Sequence, residues 1–148
     1  MDARLRIIDA NANRAREALR ILDDIARFGL DDAPLSEALK VARHDLRDCL
    51  DGLGIDRGSL IASRDVGGDV GTTFSTPAEL KRSGLREVAL AAGARLGEAL
   101  RSIEECAKAL AADSGPLEAL RYRVYDLEKR LILALGAGSC PQWRVGVL

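Results

Sequence analysis

Two stretches of the chain, RAREALRILDDIAR at residues 14–27 and RLGEALRSIEECAK at residues 95–108, repeat the same order of charged and apolar residues. Glu98 follows Glu17 by 81 residues, and the same offset places EALR at 118–121 on EALK at 37–40. It also places Asp126-Leu127 on Asp45-Leu46. Two helices and the turn between them have therefore been copied, which predicts a pseudo-twofold arrangement.

Apolar residues in both copies recur at helical spacing. The first helix of each copy alternates steps of three and four residues, as in a bundle: Ile8, Ala12, Ala15, Leu19, Leu22 and Ala26, then Ala89, Gly93, Leu96, Leu100, Ile103, Ala107 and Leu110. Shorter stripes mark the second helices: Leu35, Leu39, Ala42, Leu46, Cys49 and Leu53, then Leu117, Leu120, Val124, Leu127 and Leu131. Turns with proline separate the helices at 29–34 and 113–116. The prediction is an all-α helical bundle from a duplicated helix pair, with repeat 1 at 5–53, repeat 2 at 86–135 and a tail at 136–148.

Length and composition favour one ordinary globular domain. The chain has 148 residues, of which 47% are hydrophobic, and one core suffices at this size. Its net charge of −1 argues against nucleic acid binding, which normally needs a basic excess. Three scattered cysteines and the absence of an N-terminal apolar signal predict a cytoplasmic protein, with Cys49 and Cys106 as core residues. We expect no membrane association, and assembly of identical chains is compatible with the sequence.

The central segment, residues 54–76, is predicted to be a glycine-rich loop between the repeats. A short strand is possible at 60–62, and a capping box at 76–79 is expected to start the next helix. Its run RDVGGDVGT at 64–72 combines carboxylates, an arginine, a hydroxyl and unobstructed backbone amides, a set that can hold phosphate and a metal: Arg64, Asp65, Gly67, Gly68, Asp69, Gly71 and Thr72. The run is neither a Walker A loop nor a Rossmann fingerprint. A flexible connector is the alternative interpretation.

Charged residues of the first helices share one face in each copy: Glu17, Arg20, Asp24 and Arg27, then Glu98, Arg101, Glu105 and Lys108. Such a face is usually solvated and held by ion pairs between neighbouring turns. Carboxylates interleaved with arginines could instead hold Mg²⁺ and phosphate oxygens together.

The start of the first helix offers a second polar group, Asn11, Asn13 and Arg14. These side chains could receive a phosphate near the positive helix terminus, or the asparagines could simply cap the helix. Arg14 and its counterpart Arg95 are expected to be partly buried and therefore to need partners. The position equivalent to Asn11 is Ala92, so the two copies are not equal.

Three ordered motifs together resemble a known family: IDANANRAREALRILDDIARF at 8–28, RDVGGDVGT at 64–72 and EALRSIEE at 98–105. The resemblance covers about residues 4–135. It is to the helical domain often fused ahead of thiamin phosphate synthase, which is regarded as an alternative hydroxymethylpyrimidine phosphate kinase. The family pattern has asparagine where this chain has Ala92, so one contact is lost if both asparagines of the pattern touch the ligand.

The resemblance implies phosphorylation of hydroxymethylpyrimidine phosphate by ATP with Mg²⁺, and thiamin phosphate synthase as a functional partner. With roles inferred from chemistry, the expected catalytic residues are Asp69, Asp65 and Arg64, and the expected metal ligands are Asp69, Asp24 and Glu105. Expected binding residues are Asn11, Asn13, Arg14, Glu17, Arg20, Gly67, Gly68, Gly71, Thr72, Arg95, Glu98 and Arg101. Two alternatives stay open: a non-catalytic docking module for the synthase, and a small helical mutase that uses the arginines without metal.

Overall fold

The structure, a computed structural model, describes residues 2–73 and 84–137. Helix α1 spans Ala3–Asp24 and continues into one π-helical turn, Ile25–Gly29. Helix α2 spans Ala33–Asp51, α3 is short at Arg57–Ala62, and a 3₁₀ turn follows at Val70–Thr73. Helices α4 and α5 span Leu85–Ala109 and Gly115–Ala137. The described ranges contain no strand, which confirms the predicted all-α fold.

The four long helices pack in a ring. Helix α1 contacts α2 and α4, and α5 contacts the same two helices. The Arg4 guanidinium donates to the carbonyl of Ala109 at 3.1 Å, whereas Gly29 approaches Leu85, so α1 and α4 run antiparallel. The antiparallel pairing of the first helices of the two copies is compatible with the pseudo-twofold arrangement that the repeat predicts.

The predicted apolar stripes form the core. Nearly all of their members are buried, including Ile8, Leu19, Leu100 and Leu131 at 0% exposure. Cys49 and Cys106 are half-buried against that core, and burial raises the pKa of both thiols. Their packing against the core agrees with the expectation from sequence.

Aspartate side chains begin three of the helices. The Asp2 carboxylate accepts from the Arg4 amide, Asp32 from Leu35, and Asp56 from Ser59. Each acceptor satisfies one of the amides that a helix start leaves without a partner. The Asp32 cap, followed by Pro34 in the first turn of α2, confirms the break predicted at 29–34.

The short strand expected at 60–62 is wrong, because these residues belong to α3. The Asp56 cap starts a helical turn there, and this turn buries Leu60 against α1 while Ile61 stays 44% exposed. The capping box at 76–79 and most of the predicted tail lie outside the described residues. No helix in the described ranges is long and apolar enough to cross a bilayer.

Candidate functional site

A cavity of about 510 Å³ lies between the N-terminal half of α1 and the loop that follows α3. Its polar lining unites six residues that the sequence singled out: Asn11, Asn13, Arg14, Arg64, Asp65 and Asp69. Ala3, Ile7 and Val66 contribute apolar surface. The first helix and the central loop therefore do form one site, which we call the loop cavity.

A bidentate ion pair fastens the loop to the helix. The Arg64 Nε donates to Asp9 Oδ2 at 2.6 Å and Nη2 donates to Oδ1 at 3.0 Å. The Asp9 side chain is only 8% exposed and that of Arg64 is 40% exposed, and this hydrogen bond raises the pKa of Arg64. Arg64 thus has a positioning role, because a planar guanidinium fork fixes both partners.

The two loop aspartates hold the loop's own backbone. The Asp65 Oδ1 accepts from the Gly68 amide at 2.8 Å, and Asp69 Oδ1 accepts from the Gly71 amide at 2.8 Å. A Cβ at position 68 would collide with the Asp65 carboxylate, so a larger residue there would force that side chain to move. The amides of Gly68 and Gly71 are therefore occupied, and the predicted phosphate cradle has fewer free donors than the sequence suggested.

Helix α1 begins at Ala3, so the expectation that Asn11, Asn13 and Arg14 open the first helix or cap it is wrong. These three residues lie two to three turns inside the helix, and they are also partly engaged. Asn11 is 6% exposed, and its Nδ2 donates to the Ile7 carbonyl at 2.8 Å. Its Oδ1 accepts from Arg14 at 3.1 Å, and Asn13 accepts from Arg16. Arg14 and Arg95 are both exposed, so the expectation that they are partly buried is wrong: Arg14, for example, lines the open loop cavity.

A second cavity of about 240 Å³ lies on the other side of the ion pair, between α1, α2 and α3. Asp9 and Arg64 line both cavities. Three further arginines line this one, namely Arg16, Arg47 and Arg57, together with Asp51 and five apolar residues: Ala12, Leu50, Ile55, Leu60 and Ile61. We call it the arginine cavity.

The predicted metal ligands lie in different parts of the structure. Asp24 ends α1, and Glu105 lies one turn from Ala109, at the end of the bundle where α1 begins. A helix of 22 residues is about 33 Å long, so these carboxylates lie at opposite ends. Asp69 lies in the loop cavity, remote from Asp24. Among the described residues no three acidic, histidine or cysteine side chains form a metal-binding group.

Asp65 and Asp69 nevertheless fit a Mg²⁺ ion that arrives with a nucleotide. Mg²⁺ in such sites is held by one or two carboxylates, by phosphates and by water, without a complete protein cage. Both aspartates line the loop cavity, and each uses one carboxylate oxygen for its backbone hydrogen bond. The donor set is therefore compatible with a metal that the phosphates largely hold.

The charged faces lie outside both cavities. On α4, Arg101 lies 3.6 Å from Glu105, and Lys108 donates to Glu105 at 2.8 Å, which lowers the pKa of that carboxyl. Glu17 and Glu98 are exposed. Arg20 lines a separate open groove beside Asp23 and Lys40. On α4 this is the solvated, ion-paired face that helical spacing usually indicates.

Five charged residues that line the arginine cavity were not among the predicted site residues: Asp9, Arg16, Arg47, Asp51 and Arg57. Three of them carry a signal in the repeat itself. At the offset of 81, Asp9 falls on Leu90, Arg16 on Gly97 and Arg47 on Glu128. Charged residues that the other copy replaces by an apolar residue, a glycine or the opposite charge would have pointed to this site.

Comparison with known proteins identifies relatives of the chain. It is 44% identical over 132 residues to a thiamine-phosphate synthase of Rhodopirellula baltica, which is 88% of this chain and 35% of that protein. It is 45% identical over 129 residues to a thiamine-phosphate synthase of Thermosynechococcus vestitus, 86% of this chain and 35% of that protein. The chain thus spans about a third of the length of these relatives, and no solved structure matches it. The ThiD2 family model matches residues 6–130, and the chain belongs to the ThiD2 family.

Proposed function

We propose that this chain transfers the terminal phosphoryl group of Mg·ATP to hydroxymethylpyrimidine phosphate, giving the pyrimidine diphosphate used to make thiamin. One observation carries the proposal: two polar cavities, each lined by at least three arginines, lie side by side with the Asp9–Arg64 pair as their common wall. An enzyme that joins two phosphate-bearing substrates needs two such cavities in contact. The family and the thiamine-phosphate synthase relatives support thiamin biosynthesis as the pathway.

The transfer makes few chemical demands on the protein. The P–O bond between the β,γ-bridging oxygen and the γ-phosphorus of ATP breaks and ADP leaves, while an oxygen of the acceptor phosphate forms the new P–O bond. A phosphate monoester has a second pKa of about 6, so this oxygen is already deprotonated at neutral pH. No general base is needed, and catalysis is positioning and charge stabilisation.

The residues of the loop cavity match these demands. Arg14, exposed at the cavity lining, can contact nucleotide phosphates, and Arg64 holds the loop against α1 from the shared wall. Bound Mg²⁺ would neutralise charge between the phosphates, and Asp65 and Asp69 would hold it. The loop cavity, with about 510 Å³ against 240 Å³, suits the larger substrate, ATP.

A docking module is the second candidate. The relatives are named thiamine-phosphate synthases and are about three times as long as the matched region. A module that only delivers the pyrimidine to a synthase would bind the monophosphate and release no ADP. Nucleotide dependence therefore separates the two functions.

The test is conversion of hydroxymethylpyrimidine phosphate by the purified chain with Mg·ATP, followed by phosphorus NMR. We expect diphosphate and ADP in equal amounts. Asp69→Asn keeps an oxygen that can accept from Gly71 but loses the charge, and should lower the rate by about 10- to 100-fold. The control Asp126→Asn alters an exposed aspartate of α5 that makes no ion pair among the described residues. Absence of diphosphate with the unaltered protein would contradict the kinase function.

A further inference from the structure

We propose that the arginine cavity binds a phosphate monoester with a small apolar body, and that Arg16, Arg47 and Arg57 hold its phosphate group. Under the proposed function this ligand is the acceptor, hydroxymethylpyrimidine phosphate. The inference rests on the proposed function only for the identity of the ligand, because the binding chemistry follows from the cavity alone.

The cavity has more positive charge than its carboxylates can balance. Four arginines line it against two aspartates, and the Asp9 carboxylate is already engaged by Arg64 through both oxygens. In the described ranges, neither Arg47 nor Arg57 forms an ion pair. Among the residues that the structure describes, Arg16 donates only to the neutral amide oxygen of Asn13. An anion with several acceptor oxygens would complete this group.

The electrostatic environment of Arg16 also favours an anion. Its pKa is lowered, first by burial and then by the charges of Arg57, Arg64 and Arg47, against an opposing effect of Asp9. Like charges gathered around a half-buried guanidinium destabilise the ligand-free protein. Binding of a dianion would remove that repulsion, so the cluster favours phosphate over a neutral ligand.

The second copy has no arginines at the positions equivalent to Arg16 and Arg47. Arg16 corresponds to Gly97 and Arg47 to Glu128. Glu128 lies directly against Gly93, and a Cβ added at Gly97 would be 2.9 Å from Cε1 of Tyr125. Side chains of α5 therefore fill the crossing with α4 there, whereas in the first copy the crossing of α1 and α2 stays open and cationic. Arg16 and Arg47 are therefore found in one copy alone. A charged surface inherited by both copies through the duplication would have placed arginines in both, so duplication does not explain them.

Size and apolar lining restrict the body of the ligand. A volume of about 240 Å³ is below that of ordinary drug-sized pockets, which start near roughly 300 Å³. Leu50, Ile55 and Leu60 supply apolar surface in the same cavity. One small ring with a phosphate fits this description better than a nucleotide.

Titration calorimetry without nucleotide tests the inference on the full chain. The probes are hydroxymethylpyrimidine phosphate, the corresponding alcohol without phosphate, and inorganic phosphate as competitor. We expect the monophosphate to bind, the alcohol to bind at least tenfold more weakly, and inorganic phosphate to compete. Arg47→Gln and Arg57→Gln should each weaken the monophosphate by about tenfold or more, since a charged hydrogen bond contributes about 1.5–3 kcal/mol.

Arg130→Gln is the matched control, because Arg130 is an exposed arginine of α5 without an ion pair in the described part of the chain. Its affinity should equal that of the unaltered protein. Equal affinity for monophosphate and alcohol, or an Arg47→Gln variant that binds normally, would overturn the inference. Loss of affinity in Arg47→Gln without any ATP turnover would sustain the inference and reject the kinase. If Arg47→Gln instead turns over with an unchanged KM for the monophosphate, the kinase function stands and the inference about the arginine cavity is overturned.

Discussion

The two halves of the bundle share a helical framework and differ in what lies where their helices cross. In the first half, Asp9, Arg16 and Arg47 line cavities beside α1. In the second half their equivalents are Leu90, Gly97 and Glu128, and α5 packs closely on α4. A duplicated fold can thus keep one copy for packing while the other carries polar chemistry, since the apolar stripes alone maintain the bundle.

A buried acid shows the same divergence within the core. Asp23 and Glu104 occupy equivalent positions and are 7% and 1% exposed. Asp23 accepts from Ser36 and lies 3.4 Å from Arg43, whereas Glu104 accepts from Arg121 through both oxygens. Arg121 corresponds to Lys40, which is exposed. Each half therefore satisfies its buried carboxylate with a different residue.

The largest effect is expected from removal of Arg121. Arg121→Met leaves the Glu104 carboxylate buried with only the more distant Arg101, at 3.5 Å, and should lower the free energy of unfolding by about 3 kcal/mol. Lys40→Met, at the equivalent exposed position, should change it by less than about 0.5 kcal/mol. Urea denaturation followed by circular dichroism measures both.

A double variant checks the cause. Glu104→Gln combined with Arg121→Met removes the buried charge together with its partner and should recover more than half of the lost stability. If Lys40→Met and Arg121→Met prove equally mild, the difference between the two halves at this position has no energetic meaning.

An intermediate effect is expected at the wall between the cavities. Arg64→Ala leaves Asp9 buried without its partner and should cost about 2 kcal/mol. Asp9→Ala should cost less, about 1 kcal/mol, because Arg64 is 40% exposed and can be hydrated. Both variants should release the loop at 63–73 and reduce phosphoryl transfer. Thermal unfolding at neutral pH compares them, and a larger loss in Asp9→Ala would contradict this order.

The smallest effect concerns Glu128, the counterpart of Arg47. Burial raises the pKa of its carboxyl above the ordinary value of 4.5, so the folded protein binds the proton more tightly than the unfolded chain. Stability contributed by this group therefore falls as the pH rises from about 4.5 through the raised pKa. Glu128→Gln should stabilise the protein at pH 7 by up to about 0.5 kcal/mol and flatten this pH dependence. If Glu128→Gln changes the free energy of unfolding equally at pH 4 and pH 7, the explanation is refuted.

The sequence alone predicts the bundle well because repetition and apolar spacing are properties of local order. The stripe from Ile8 to Ala26 and the break at Pro34 follow from periodicity and turn chemistry. The sequence alone also places Asn11, Arg64 and Asp69 in the site. It misses Arg47 and Arg57, because their distance from the other site residues depends on how α2 and α3 cross α1. Spacing on one helix likewise could not show that Asp24 and Glu105 lie at opposite ends of an antiparallel pair.

The measurement that tests the central claim most directly is hydrogen–deuterium exchange of the full chain with and without hydroxymethylpyrimidine phosphate and a non-hydrolysable Mg·ATP analogue. The claim is that ligands bind in the first half, around the Asp9–Arg64 wall. Added protection is expected in the loop at 63–73, in α3 and in the N-terminal half of α1. Protection concentrated in α4 and α5, with the loop unchanged, would contradict it.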